Sequence, residues 1–175
     1  RMNNLVDEVI DIRKQDQGYL KLKISKENIV AVIEEICCSF YSYAQLNKID
    51  LRFSSTFKEA DLYIDKTQIE KVFYNLLSNA FKYTPRNGYI KVMLSQDDPD
   101  STLHLLIRNS GKGLTEQQMA EVFDKYKIFD VAKFGNSVSN GIGLNLTKQL
   151  VELLGGEISV NSELGKYVEF SVMIP

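Results

Sequence analysis

Several things are scarce in this 175-residue chain, and each scarcity removes a class of function. No apolar run approaches the roughly 18 residues of a membrane span, and the opening RMNNLVDEVIDIRK lacks the layout of a secretion signal, so no direct membrane contact is expected of these residues. Charge is nearly balanced, 21 basic against 23 acidic residues for a net −2, so no general field recruits nucleic acid or an anionic surface. Any anion must be bound locally. The two cysteines are the neighbours Cys37 and Cys38, whose side chains diverge by about 100° on a helix. A disulfide framework is therefore not expected, and a reducing compartment is favoured. The one histidine, His104, alternates with Leu103, Leu105 and Ile107 and reads as a strand side chain. Neither G-x-x-x-x-G-K-[ST] nor G-x-G-x-x-G occurs, which disfavours the common phosphate-loop and dinucleotide folds, and there are no internal repeats or low-complexity tracts.

What is present is the material of one globular domain with an appendage, 44% hydrophobic and 25% charged. Met2, Leu5, Val6, Val9 and Ile12 form a helical stripe with no cap ahead of it, expected to be the end of a longer helix. After QDQG, YLKLKIS alternates as a strand and Ser25 is the expected cap of a helix carrying Ile29, Val32, Ile33, Ile36, Cys37, Phe40 and Ala44 on one face. Strands are expected at IDLRFS, DLYID, GYIKVMLS and TLHLLIRN, the last two joined by DDPDS, with a helix from about Lys66 to Tyr83 stopped by Thr84-Pro85. A short helix in TEQQMAEVFDKY should turn Met119, Val122 and Phe123 inward; a last helix runs from about Ile142 to Leu154, and a hairpin turning at Glu163 to Gly165 closes the chain. The expected fold is α+β, with helices on one face of a mixed, mostly antiparallel sheet.

The helix at NLLSNAFKYT poses a specific problem. Ile69, Phe73, Leu76, Leu77, Ala80 and Phe81 make a buried stripe, yet Asn75 and Asn79 stack one turn apart beside it. A buried amide without a partner costs roughly 1 to 3 kcal/mol, so solvent, backbone or a ligand must satisfy them. Two further clusters, RNSGKGL and SNGIGLNL, hold glycines that let backbone N–H groups approach an anion, for which phosphate is the natural guest.

Taken in order, these segments resemble the catalytic ATP-binding domains of sensor histidine kinases, in the wider group of gyrase, heat-shock chaperone and mismatch-repair ATPases. The resemblance covers about residues 60 to 175: an N box at NLLSNAFKYTP, a first glycine box at NSGKGL, an F box at VFDKYKIF and a second glycine box at NGIGLNLTKQLVELLGG. It implies a two-layer sandwich with about three helices on one face of the sheet, the Bergerat-type ATP-binding fold. Residues 1–17 would be the end of a dimerisation and phosphoacceptor helix with its linker, and 18–175 the catalytic domain. VIDIRK before the first strand is similar to receptors of the hybrid two-component type.

The resemblance further implies ATP and Mg²⁺ as ligands. Asn79 matches the metal-binding asparagine with Asn75 in support, Lys82 would face a phosphate, and Tyr83 would lie against base or ribose. Asn109, Gly111, Gly113 and Leu114 from the first glycine box, Lys125 from the F box with Lys127 as a second candidate, and Gly141, Ile142, Gly143 and Leu144 from the second glycine box would complete the nucleotide site. The partners implied are a histidine-phosphotransfer helical domain of the same protein and, downstream, the receiver domain of a response regulator; a cytoplasmic location follows. No catalytic nucleophile is expected in the fragment, because the phosphoacceptor histidine lies elsewhere, so by itself it should not autophosphorylate.

One contrast with the hydrolysing ATPases and three departures from the family pattern matter. Related ATPases carry a glutamate where Asn75 stands, and an amide cannot serve as that general base, which disfavours hydrolysis and favours transfer. Asn109 replaces the aspartate that accepts from the adenine amino group, turning a charge-assisted bond into a neutral one, a loss on the order of 1 to 2 kcal/mol. Ser110 and Ser139 stand where asparagine and glycine are usual. A weak or altered nucleotide site is the expectation, with a degenerate regulatory module of the same fold as the alternative, and residues about 115 to 140 expected to form a nucleotide-dependent lid.

Overall fold

The computed structural model describes residues 22–96, 102–124 and 142–175. The leading helix expected before residue 17, the DDPDS turn, Lys125, Lys127, Gly141 and the greater part of the expected lid lie outside the described residues. The elements are β1 (Ser25–Asn28), α1 (Ile29–Asn47), β2 (Asp50–Ser55), β3 (Asp61–Ile64), α2 (Lys66–Tyr83), β4 (Tyr89–Gln96), β5 (Leu103–Ser110), α3 (Glu116–Glu121), α4 (Gly143–Leu153), β6 (Glu157–Glu163) and β7 (Tyr167–Ile174).

Five strands form one sheet in the order β2-β4-β5-β7-β6, with β2 parallel to β4 and every other pair antiparallel; β1 and β3 make a separate antiparallel ribbon. The fold class is thus α+β with a mixed sheet, as expected. Alternation along β5 decides its two faces. Leu103, Leu105, Ile107 and Asn109 are buried against the helices, whereas His104, Leu106, Arg108 and Ser110 lie on the opposite, partly exposed face. On that open face Arg108 pairs with Glu169 across β7 at 2.5 Å and stacks 4.4 Å over the Tyr167 ring.

Helix α2 is the centre of the helical layer, because Val72, Phe73, Leu76 and Leu77 are at most 1% exposed. Helix α1 lies on it through Phe40 stacked on Phe81 at 5.1 Å and Tyr43 edge-on to the same ring at 5.4 Å. By length and composition α1 could cross a membrane, but Ile29, Val32, Ile33, Cys37 and Ala44 are buried in the core. Burying the isoleucine and valine side chains contributes about 1.5 to 3 kcal/mol each, which accounts for its apolar stripe.

The start of the described chain corrects the expectation for YLKLKIS. Leu22 and Ile24 are outside any strand, and the ladder with β3 runs instead from Ser25 to Asn28. Nor does Ser25 cap α1. Asn28 does: its side-chain oxygen accepts from Val30 N at 3.1 Å and Ala31 N at 3.5 Å. The same oxygen also accepts from Ala60 N at 3.4 Å, and Ile29 N donates to Ala60 O at 2.9 Å, so a distant loop decides where the strand yields to helix. Asp65 plays the matching part for α2. Buried at 3% exposure, it accepts from Gln68 N at 3.2 Å and from Lys23 N at 2.8 Å, capping one helix while tying down the incoming chain. Helix α3 is shorter than the periodicity suggests, a single capping-box helix from Thr115 with Val122 and Phe123 in the turn that follows.

Candidate functional site: a cleft between α2 and two glycine turns

The two asparagines of α2 have different fates. Both are half-buried beside the core stripe. Asn75 donates from Nδ2 to Thr147 Oγ1 at 2.5 Å, and Thr147, on α4 and 1% exposed, donates to the Gly143 carbonyl at 2.9 Å. The Asn75 carboxamide also occupies the space beside Gly143, where a β-carbon would come within 2.8 Å of Oδ1 and 3.1 Å of Nδ2. Only glycine allows this approach. Asn79 makes no hydrogen bond among the described residues, so its carboxamide is left for solvent or a ligand. At the end of the helix Lys82 holds its ammonium 5.0 Å over the Tyr83 ring, and Tyr83 is 39% exposed.

The first glycine box is fastened on both sides. Gly111 lies against the last carbonyl of α2: a β-carbon there would stand 2.8 Å from Tyr83 O and 3.7 Å from Asn109 Nδ2. This brings Tyr83, Asn109 and Gly111 together. On the other side Gly111 N donates to Lys166 O at 3.1 Å, Leu114 N donates to Ser162 Oγ at 2.8 Å and Gly165 N donates to Lys112 O at 2.6 Å, bolting the loop to the β6–β7 hairpin. Gly113, at φ +69°, packs onto the Glu163 carbonyl, which no other residue could do without strain. Asn109 is 3% exposed and donates to Ser110 O at 3.2 Å, while Ser110 Oγ accepts from Tyr89 N at 2.9 Å. Ser110 therefore pins the loop to β4. Leu114 and Leu144 pack on the core.

The second glycine box opens α4, whose N-cap residue Ile142 offers no side-chain hydrogen bond. Among the described residues no side chain caps this eleven-residue helix, so its first N–H groups and its positive end face the site. Asn145 in that first turn donates to Phe123 O at 2.8 Å, so the F box and the second glycine box are joined directly. Its Oδ1 is buried without a partner among the described residues, an open acceptor at the start of α4. Sequence reasoning missed Asn145, Thr147 and Ser162. Thr147 alone left a trace, as a polar residue four positions from a glycine on an otherwise apolar stripe.

Among the described residues no three acidic, histidine or cysteine side chains cluster as a metal centre. The available donor is the neutral oxygen of Asn79, a hard ligand suited to a cation whose other ligands come from phosphate and water, which is the usual way Mg²⁺ is held beside nucleotides. The donor set fits that ion.

Residues 64–175 match the family described as "Histidine kinase-, DNA gyrase B-, and HSP90-like ATPase", and the chain belongs to it. Within that family its relatives are sensor kinases. Histidine kinase P4 of Formosa agariphila is 30% identical over 98% of this chain, and the sensor protein EvgS of Escherichia coli 31% identical over 98%. The chain spans 13% and 14% of those two proteins, so it corresponds to one part of each. Full-length ShkA, solved in complex with AMPPNP, superposes with a TM-score of 0.86 at 20% identity, over 98% of this chain and 35% of ShkA, a likeness that speaks to fold. The chain is an ATP-binding catalytic domain of the sensor histidine kinase type.

Proposed function

We propose that this domain holds Mg-ATP and presents its γ-phosphoryl group to a histidine on a separate helical domain of the same protein, for onward transfer to a response regulator's receiver domain in the cytoplasm. The observation that carries this is the Asn79 carboxamide, which makes no hydrogen bond among the described residues, on the same flank of α2 that Asn75 brings against the start of α4. Asn79 would hold the magnesium, which supplies charge neutralisation between the phosphates. The N–H groups opening α4 would receive phosphate oxygens, Lys82 would add a positive charge, and Tyr83 with Asn109 would border the base. Lys125 and Gly141 would act from the F box and the second glycine box. Among the described residues Asn75, in the position of a hydrolytic glutamate, is an amide donor engaged by Thr147 and does not activate water. Catalysis here is positioning and charge compensation of a loose phosphoryl transition state.

The test is titration with a fluorescent ATP analogue with and without Mg²⁺. Binding strengthened by Mg²⁺ in the natural chain, and a loss of that dependence in Asn79→Ala, are expected; equal affinity with and without the ion would overturn the role of Asn79. Supplying the helical domain in trans with labelled ATP should label its histidine, whereas the isolated chain should label nothing. Steady phosphate release by the isolated chain would instead indicate a hydrolase.

A further inference from the structure

We propose that Thr147 is a positioning residue of the nucleotide site, acting through Asn75, and that the principal duty of Asn75 is to set the start of α4 and not to ligate metal. This rests on the nucleotide-binding function proposed above. A threonine hydroxyl has one proton to give, and in this structure it is given to the Gly143 carbonyl at 2.9 Å. What remains on Oγ1 is acceptor capacity, so the group facing it from Asn75 must be the NH₂, and it lies at 2.5 Å. The polarity of the relay therefore fixes which way round the Asn75 carboxamide sits. Its oxygen is directed to the glycine side, 2.8 Å from where a β-carbon of residue 143 would stand.

Two helices far apart in sequence are locked by this arrangement at the point where phosphate would bind. Thr147 is 1% exposed, so water cannot replace a lost hydroxyl there. The hydrogen bond to Gly143 O anchors the Thr147 hydroxyl to the first turn of the helix, and Asn75 holds that turn at contact distance from the N-box helix. Asn145 secures the same turn to Phe123 from the other side. With both ties in place the N–H groups of the turn are presented in one geometry, which lowers the ordering cost of binding an anion.

The experiment compares Thr147→Val, which keeps the shape and deletes the hydroxyl, with Thr147→Ser, which keeps the hydroxyl, in the 175-residue chain. Two readouts are followed by NMR and fluorescence: solvent exchange of the Asn75 side-chain amide protons, and affinity for a Mg-nucleotide analogue. Thr147→Val is expected to speed exchange of the Asn75 amide and weaken affinity about five- to thirtyfold, while Thr147→Ser stays within about twofold of the natural chain in both. Should Thr147→Val fail to fold, Gly143→Ala displaces the Asn75 carboxamide by the same contact and is expected to raise its exchange likewise. Unchanged Asn75 exchange in Thr147→Val, or in Gly143→Ala, would overturn the relay. So would an affinity in Thr147→Val equal to that of the natural chain. If the natural chain binds no nucleotide, the proposed function fails on that result alone, and the exchange measurement still decides the relay separately.

Discussion

Replacing Asn109 by aspartate should trade stability for affinity, and both sides of the exchange can be worked from its surroundings. Asn109 is 3% exposed at the end of β5, opposite Ile90 and Val168, and its Nδ2 donates to the neighbouring Ser110 carbonyl at 3.2 Å. Aspartate removes that donor and sets a carboxylate oxygen against the Ser110 carbonyl oxygen. Leaving a buried polar group unsatisfied costs about 1 to 3 kcal/mol, which for a chain of this size lowers Tm by roughly 2 to 12 °C. Burial without a cation should raise the new carboxyl's pKa, so the folded state would hold its proton more tightly than the unfolded chain does. The penalty should then shrink as pH falls below the new pKa and grow as pH rises through it. A nucleotide offers what the empty site does not, an amino group to donate to the carboxylate. The bond becomes charge-assisted, and affinity should rise about five- to thirtyfold. Differential scanning fluorimetry from pH 5 to 8, without nucleotide, and a binding titration at pH 8 measure the two sides. An Asn109→Asp variant with unchanged Tm and unchanged affinity would refute the reasoning.

Gly113→Ala should destabilise the domain by about 1 to 3 kcal/mol, because its φ is +69° and the new β-carbon meets the Glu163 carbonyl; chemical denaturation measures it, and a neutral result would show that the loop is free to move off the hairpin. Burial pushes the Cys37 thiol up to about 12, so it stays protonated at pH 8, and a thiol reagent should modify the exposed Cys38 in the folded chain and both cysteines only in denaturant. The hydrogen bond to Glu169 holds the Arg108 guanidinium pKa above its usual value, so the pair contributes no pH dependence near neutrality from its cation. Arg108→Ala leaves Glu169, 9% exposed, without that partner and should cost about 1 to 2 kcal/mol in a denaturation series, more than Glu169→Gln does.

Much of the architecture was legible because the signals are local. The stripe of α2 follows from the 3.6-residue period, its stop from Pro85, and the hairpin at residues 163 to 165 from its glycine, which indeed takes a positive φ. The boundary between β1 and α1 was not legible. Ser25 is as good a cap by type as Asn28, and the choice is made by Ala60 and by the ladder to β3, which lie more than thirty residues away.

The site divides in the same way. Sequence order alone placed asparagines, glycines and the family resemblance, because motif spacing survives as a linear pattern. The resemblance gave Asn79 the metal and Asn75 a supporting part, but it could not show what each amide touches. Only tertiary packing did so, by bringing Thr147 from α4 within 2.5 Å of one amide and leaving the other without a hydrogen bond among the described residues. The physical reason is range: capping, periodicity and turn chemistry act within a few residues of chain, whereas the saturation of a polar group depends on which donor or acceptor the fold delivers to it.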